Sequence, residues 1–550
     1  MALLHEYQSK EILARHGIKI PSGKLARTPA EAEIIATEIG RPVVVKAQSF
    51  GTSRAASGGI KFAADANETL TVAQEIFDQF KVQAVLVDEK IEIEQEFYCG
   101  FIIDDRLKRP TLLLSVAGGS GVEERAGTMK TFVCSVRHEP DLQALKTFAF
   151  QTAFIEFSKV KNFFGNKDNL LASKLSLELA EILLKLYRAA KSVEARVAEI
   201  NPLALTQNNS LIALDARFSI DDYAVFRHED LGIDIARELG HPPTKLERIA
   251  WDIEKDDFRG TFYFVEILPQ VQNPKSTGNI SQENEDQRPK TEDRLLIGFH
   301  GAGGGGSMAS LDAAQRNGLQ PACYVDTSGN PPASKVYRAA RIILSIPNIK
   351  GYFLSGSGVA SQEQFVLARG VIKAFLEVQP TIPAVLRLGG NGEEIAKDLI
   401  EKYAQHMPAP FEAYQKMHSA DFCAARLHDL IAQNSESEIQ KPKAEDRRPK
   451  TEGQNFYSFK SRTGRVYYDH AALAGRDTTQ MIESCPTKIL SKNDRGLPVL
   501  NISEEEATRG KCVECLACEF AAWEILGVGR GAYIDFPIEN LLERETTKSI

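Results

Sequence analysis

Glu199, Asn201 and Asp215 are hard oxygen donors spaced so that one short hairpin can bring them together. Ala198 to Leu203 and Leu211 to Asp215 are apolar-rich runs flanking the polar tract Thr206 to Ser210, a pattern that predicts two half-buried strands and a turn. A turn centred on Asn208 sets Asn201 opposite Asp215. Glu199, two residues earlier, shares the face of Asn201 because side chains alternate along a strand. Two carboxylates and an amide oxygen in one cluster suit Mg²⁺, which takes one or two protein oxygens and completes its shell with water or nucleotide phosphate. The same residues would also serve as ordinary polar groups on a solvated hairpin.

A second group with chemical potential lies near the other end of the chain. Cys512, Cys515 and Cys518 follow the spacing C-x₂-C-x₂-C, and Cys485 precedes Pro486. Together they supply one set of four ligands in the bacterial ferredoxin pattern, where a Cys-Pro cysteine serves the cluster of another motif. The run's own fourth position is Ala522, so two clusters are not expected. A [4Fe–4S] cluster, a Cys₄ zinc site and four unligated thiols are the competing readings. Ser503 with Glu506 predicts a capped short helix just before the cysteine loop. Cys99, Cys134, Cys323 and Cys423 are isolated and expected to pack.

The elements that must position the hairpin lie upstream. Leu4 to Lys10 opens a helix ending near Gly17. Pro42 to Gln48 is a buried-type strand carrying Lys46, and it runs into the small-residue loop Gly51 to Gly59. An ammonium there can hold nucleotide phosphate as a point charge. Val85 to Asp88 is a further strand, continued by Glu92 to Gly100. Downstream, Leu295 to Phe299, Ala322 to Asp326, Gly351 to Leu354 and Pro383 to Leu388 are strands alternating with helices at Met308 to Arg316, Lys335 to Leu344 and Gln362 to Val378. That rhythm predicts a parallel sheet with ligand loops at the carboxyl ends of its strands.

Several separated motifs, in order, resemble those of the β subunit of ADP-forming succinyl-CoA synthetase and its acyl-CoA synthetase relatives. They are the His5-Glu6-Tyr7-Gln8 opening, the strand carrying Lys46, Gly58-Gly59, Glu96-Phe97-Tyr98, Glu199 to Leu203, Leu214-Asp215 and Val385 to Asn391. The resemblance implies an α/β and α+β multidomain chain: an ATP-grasp nucleotide domain (1–268), a flavodoxin-like CoA-ligase domain (294–432) and, outside the resemblance, a small ferredoxin-like Cys-rich domain (455–550). It implies that Lys46, Ser53, Arg54 and Ala55 meet nucleotide phosphate, that Asp88 lies near the adenine and Glu96 at the ribose, and that Asn201 and Asp215 hold Mg²⁺. It places Glu199, as the catalytic residue, near a phosphohistidine carried by a separate α subunit. His300, Gly358, Val359 and Ala360 are implied to face the substrate. The implied ligands are Mg²⁺ with ATP or GTP, CoA and a small carboxylic acid. Some positions depart from the family pattern. Glycines have become Ser53 and Ala55, a lysine has become Ala56, an asparagine has become His300, and Ser355 to Ser361 replace a Gly-Gly-Ile-Val loop. These changes bear on phosphate binding and on whether succinate is the acid. None of the ten histidines has the Gly-His-Ala-Gly setting of the α-subunit carrier, so the chain is expected to need a partner.

Composition fits that picture. At 550 residues, with 43% hydrophobic and 25% charged, the chain can bury several ordinary cores. Its formal charge of −8, without a basic tract, argues against nucleic acid. No run of eighteen apolar residues and no apolar leader is present in the sequence, so neither membrane insertion nor secretion is expected and the cytoplasm is the expected location. Residues 269–293 and 433–454 are polar linkers that share a near-repeat, Glu285 to Glu292 against Glu445 to Glu452. Two other functions would fit: a nucleotide-binding regulatory or scaffold subunit whose degenerate loop no longer turns over, and an electron-transfer subunit built around the cluster.

Overall fold

The structure, a computed structural model, describes residues 1–49, 57–119, 129–155, 169–237, 239, 241, 243–267, 295–358, 362–435, 456–538 and 542. It divides into two compact units, Met1–Pro243 and Thr244–Ile550. Among the described residues no helix is long and apolar enough to cross a membrane.

The first unit enters through β1 (Ala2–Leu3) and α1 (Glu6–Arg15). An antiparallel sheet follows in the order β2-β5-β3-β4, from β2 (Gly23–Ala26), β3 (Val43–Ala47), β4 (Ile60–Ala63) and β5 (Val85–Glu89). One face of it is covered by α2 (Pro29–Ile39) and α3 (Ala66–Phe80) through Ile35, Ala36, Ala73 and Ile76. The ends of α2 are written locally: the Thr28 hydroxyl accepts from the Glu31 N–H at 3.2 Å, Pro29 opens the first turn, and Gly40 closes it at φ +63°.

The chain then leaves for a second antiparallel sheet, so Glu92 to Gly100 does not extend the Val85 strand as the sequence suggested. This sheet contains β6 (Ile93–Asp104), β7 (Arg109–Ser115), β8 (Lys130–Val133), β9 (Ala195–Thr206), β10 (Leu211–Ala213) and β11 (Ala216–Ile220). Its order is β1-β11-β9-β6-β7-β8, with β10 beside β9. Helices α4 (Leu142–Phe150) and α5 (Asn169–Ser192) lie between β8 and β9 in the chain. Leu179, Leu183 and Leu186 of α5 share a core with Phe97, Cys99 and Phe101 of β6 and with Ala198, Ile200 and Leu203 of β9.

The second unit begins earlier than the polar tract at 269–293 implied. Helix α6 (Lys245–Asp256) and β12 (Tyr263–Glu266) belong to it, because β12 pairs antiparallel with β15 (Cys323–Asp326). The remaining strands are β13 (Leu295–Ala302), β14 (Leu319–Pro321), β16 (Gly351–Gly356), β17 (Ala384–Arg387) and β18 (Phe411–Tyr414), in the order β12-β15-β13-β16-β17-β18 with β14 beside β13. From β13 to β18 the pairs are parallel. The crossovers carry α7 (Gly304–Arg316), α8 (Ala333–Leu344), α9 (Gln364–Val378) and α10 (Glu393–Ala404), and α11 (Ala420–Ser435) follows the last strand. Gly304 to Gly306, expected as a loop, form the first turn of α7.

The Cys-rich tail is not a body of its own. Strands β19 (Phe456–Lys460), β20 (Arg465–Asp469) and β23 (Ala532–Asp535) form an antiparallel sheet, and β21 (Leu490–Lys492) pairs with β22 (Pro498–Leu500). Short helices α12 (His470–Leu473), α13 (Thr479–Glu483) and α14 (Glu504–Glu506) precede α15 (Ala517–Leu526). Phe459, Tyr468, Phe520 and Trp523 join one apolar cluster with Val336, Leu367, Phe375 and Tyr403 of the parallel-sheet layer. Polar contacts reinforce the seam. Glu514 is 1% exposed, and its carboxylate accepts from the Ser334, Ser461 and Thr463 hydroxyls at 2.7, 2.8 and 2.8 Å, from the Thr463 N–H at 2.6 Å and from Arg259 at 2.5 Å. Lys373 of α9 donates to Glu519 of α15 at 2.7 Å, both fully enclosed.

Glu514→Ala strips Arg259 of one of its two carboxylates in a largely buried place. The cost should be about 3–5 kcal/mol, the range for breaking a buried ion pair. Tryptophan fluorescence reports this unit alone, since Trp251 and Trp523 both lie in it. Its denaturation midpoint should fall, with hydrogen exchange in residues 295–435 and 456–538 accelerating together. Acceleration confined to 456–538 would show that the tail folds independently.

Candidate active site

The hairpin pairs as the turn at Asn208 requires. Ala213 faces Leu203 on one side and Ala216 faces Ile200 on the other, and the Asn201 N–H donates to the Asp215 carbonyl at 3.1 Å. Ala198 and Ile200 point into the α5 core, so Glu199 and Asn201 stand on the opposite face by strand alternation. Glu96 and Tyr98 share that face, because Phe97 and Cys99 take the core side of β6. The Tyr98 hydroxyl donates to Glu199 Oε2 at 3.1 Å. Burial, reinforced by the Glu199 charge, pushes that phenol well above its usual range. Gly100 makes the contact sterically available: a Cβ there would sit 2.9 Å from the Tyr98 ring. The Asn201 amide oxygen accepts from the Gly119 N–H at 2.7 Å. A Cβ on Gly119 would stand 2.3 Å from Glu96 Oε2, so the loop after β7 lies against both side chains.

Lys46 closes the group from the neighbouring sheet. Val43, Val45 and Ala47 point to α2 and α3, which leaves Lys46 on the other face with Asp88, whose cross-strand partner is Val44. Lys46 Nζ donates to Glu6 Oε1 at 2.7 Å and to the Leu214 carbonyl at 2.6 Å, and lies 3.1 Å from Asp88 Oδ2. Lys10, one turn after Glu6 on α1, bridges the same two carboxylates at 2.9 and 2.6 Å. Burial favours neutral Lys46, but Glu6, Asp88 and Asp215 together outweigh it and hold the ammonium charged well above its usual range. Two ammonium groups thus face three carboxylates. Asp88 is placed otherwise than the resemblance implied: it is 2% exposed and committed to both lysines, not presented to an adenine. Glu6 is the residue that sequence reasoning left without a role, although it stands in the motif at the chain's opening. Ser53, Arg54 and Ala55 lie outside the described residues.

In the second unit, the carboxyl ends of β13 and β16 meet at the point where the strand order reverses. The first turn of α7 packs so closely on Ser357 that a Cβ at Gly306 would lie 2.2 Å from the Ser357 Cα. Asp326 Oδ1 accepts from the Gly303 N–H at 2.9 Å. Arg387 donates to the Gly356 and His418 carbonyls, each at 2.6 Å, and its guanidinium flanks Gly358. Val359 and Ala360 lie outside the described residues. His300 is not on this rim. It is 0% exposed, its Nδ1 hydrogen-bonds to the Tyr352 hydroxyl at 2.5 Å and its Nε2 to the Thr327 hydroxyl at 2.8 Å. Both ring nitrogens are committed within the fold, so the imidazole supports the sheet end from beneath.

Cys485, Cys512, Cys515 and Cys518 converge in the tail, where all four line one pocket. Among the described residues no group of three or more His, Cys, Asp or Glu side chains is arranged to hold a metal ion. The thiols ring a space.

An ATP-grasp domain model matches residues 3–205. The GDP-forming succinate–CoA ligase β subunit of Thermus thermophilus is 35% identical over 415 residues, covering 74% of this chain and 96% of that one. The chain belongs to the succinate–CoA ligase β-subunit family. The ADP-forming β subunit of Chloroflexus aggregans is 33% identical over 401 residues, covering 72% of this chain and 92% of its own. Among solved structures, ATP citrate lyase from Methanothrix soehngenii, in complex with citrate and coenzyme A, shares the fold with a TM-score of 0.56 at 16% identity, covering 78% of this chain and 99% of that one. As a member of this family the chain is an ATP-grasp acid–CoA ligase subunit.

His300 gives this family member a measurable acid sensitivity. Burial holds the imidazole down to about 3 from an ordinary value of 6.5. The unfolded chain binds that proton as pH falls through 6.5 while the folded chain refuses it. The resulting stability is full above 6.5 and declines on acidification, by up to about 1.4 kcal/mol per pH unit. His300→Asn lacks this titration. The stability advantage of wild type over the variant, from urea midpoints, should therefore shrink between about pH 6.5 and pH 4. A constant difference would show that the ring takes up its proton in place.

Proposed function

We propose that this chain is the nucleotide-binding subunit of a carboxylate–CoA ligase that uses Mg²⁺ with ATP or GTP and works with an α-like chain carrying a phosphohistidine. The observation that carries the reading is the convergence of Lys46, Asn201, Asp215 and Glu199 within one unit, in a chain collinear with succinate–CoA ligase β subunits. Asn201 and Asp215 are cross-strand neighbours with Asp215 close enough to act on Lys46, a donor set that fits a hard divalent ion. When bound, Mg²⁺ would neutralise phosphate charge and orient the terminal phosphoryl group. Lys46 offers a fixed positive charge to the same phosphates. Glu199, which accepts from Tyr98, would on this reading accept a hydrogen bond from an incoming imidazole and so select the tautomer that presents its other nitrogen to phosphorus.

In the second unit the parallel strands run β15-β13-β16-β17-β18, which is 2-1-3-4-5 in chain order. That order supports a flavodoxin-like CoA-ligase layer, with ligands entering at the switch between β13 and β16. CoA and a small carboxylic acid are the ligands that this reading assigns there. With His300 beneath the rim and Ser357 and Gly358 beside it, the acid is selected by contacts unlike those of succinate-specific relatives. One observation favours a second reading, a nucleotide-binding regulatory subunit. The three hydrogens of Lys46 already face Glu6, Asp88 and the Leu214 carbonyl, so contact with phosphate requires the ammonium to be shared.

Two measurements decide between these readings. Asp215→Ala, in the complex with its α-like partner, should lower kcat/KM for Mg-nucleotide by more than about 100-fold, beyond the 10–100-fold cost of losing an outer-shell group, while the thermal midpoint stays near wild type. Unchanged turnover would sink the metal assignment, and a complex with no CoA-dependent nucleotide cleavage would favour the regulatory reading. Separately, the chain by itself should bind nucleotide without acquiring acid-labile phosphate, and should support phosphorylation of the partner when mixed with it. Phosphohistidine forming on the chain alone would mean that the carrier lies here.

A further inference from the structure

The cysteine pocket belongs to the second unit, and its assignment does not depend on the ligase reading. Three of its sulfurs come from the loop that wraps into α15 and the fourth from the turn after α13. Glu514 and Leu516, on either side of Cys515, both adopt left-handed backbone, at φ 52° and 63°. Neither is glycine, so each carries a local cost of about 1–2 kcal/mol that the surroundings must offset. What the distortion achieves is directional. It turns the Glu514 N–H toward the Cys512 sulfur and the Ala517 N–H toward that of Cys515. Backbone amides aimed at sulfur, in a loop that alternates helical hand, form the kind of concave donor set that cradles an anionic group.

Two side chains complete the enclosure. Tyr468 is 0% exposed, its hydroxyl has no oxygen or nitrogen partner, and it is directed at the Cys518 sulfur. A buried hydroxyl needs an acceptor, and the one it faces is this sulfur. Arg369 of α9 brings a guanidinium to the same wall. It donates to the Cys515 carbonyl at 3.4 Å, senses the Cys515 and Cys518 sulfurs, and keeps its Nε buried without a partner. Phe459, Val466, Ile489 and Ile534 form the apolar remainder of the lining. Thiols alone, at neutral charge, call for neither a cation nor a buried hydroxyl donor.

We propose that Cys485, Cys512, Cys515 and Cys518 ligate one [4Fe–4S] cluster, held in the pocket under Tyr468 and Arg369. Ligation releases the four thiol protons to solvent, and the guanidinium offsets part of the negative charge left on the liganded cluster. Among the described residues the sulfurs are not gathered round one point as a single ion requires, and zinc would need all four at about 2.3 Å from it, whereas a polynuclear cluster sets its cysteine ligands wider apart. Glu514, between two of the ligands, also holds Ser334 and Arg259, so the cluster fastens the loop that seams the tail to the parallel-sheet layer.

The test uses the full chain, purified and reconstituted without oxygen from sulfide with ferrous and ferric iron in equal parts, the mixture whose electron count matches the oxidised cluster. The expected product is brown, holds about four iron and four acid-labile sulfide per chain, and bleaches on reduction. Changing Cys512 and Cys515 together to serine should remove most of the iron. Tyr468→Phe should keep the iron but lower the reduction potential, because a hydrogen bond to sulfur favours the reduced, more negative cluster. That last shift separates a sited cluster from iron held loosely on thiols. One zinc per chain without sulfide, no metal at all, or iron content unchanged in the double variant would each overturn the proposal.

Discussion

Glu6, Lys10, Lys46 and Asp88 form a buried lattice of two positive and two negative charges, and the geometry of the first unit depends on it. Lys46 rises from a strand whose residues are all buried, Lys10 and Glu6 come from α1, and Asp88 comes from the strand beside Lys46. Each charge alone would carry a desolvation penalty of several kcal/mol, so the four are tolerable only together and only in this arrangement. The Leu214 carbonyl adds the end of the β10 hairpin to the same ammonium. Helix, small sheet and hairpin are therefore fixed to one another by a single amine. Asp215, next in sequence, supplies a third carboxylate and leaves the group electron-rich, a setting that favours a further cation.

Strand parity governs the rest of the site. On β6 the odd positions Phe97, Cys99 and Phe101 face the α5 core and the even ones carry Glu96 and Tyr98, while on β9 Ala198 and Ile200 take the core side and Glu199 and Asn201 the other. A slip of one residue in β9 would bury Glu199 and expose Ile200, so the hydrophobic pattern that holds the sheet there also fixes the site's register. The same logic explains Gly100. A side chain there would collide with Tyr98, and without Tyr98 the Glu199 carboxylate would lose the contact that orients it.

What could be read from the sequence follows the distance over which each feature is determined. The hairpin at Asn208 and the Ser503–Glu506 box are set by residues close in the chain, and each forms as its residues predict. The alternation of strands and helices after Leu295 was equally legible, because both periods are written locally. Asp88 and His300 were not. Their surroundings are assembled from α1 and β3 in one case, and from Tyr352 and Thr327 in the other, none of them predictable from local pattern. The tail misled for the same reason. The polar tract at 433–454 marks a real interruption in composition, yet Phe459, Phe520 and Trp523 bury themselves against helices contributed more than a hundred residues earlier.

That seam is built from ions where apolar contacts alone could have served. Replacing a buried ion pair with packed hydrophobic groups is often neutral or stabilising, so Lys373 with Glu519 and Arg259 with Glu514 are poorly explained as sources of stability. They are better explained as registration. An apolar interface tolerates sliding, but each of these carboxylates is paired with a cation at a fixed place and is costly anywhere else. Glu514 and Glu519 bracket Cys515 and Cys518, so fixing the two glutamates fixes the two sulfurs. The fold thereby constrains the thiol positions through contacts made outside the pocket.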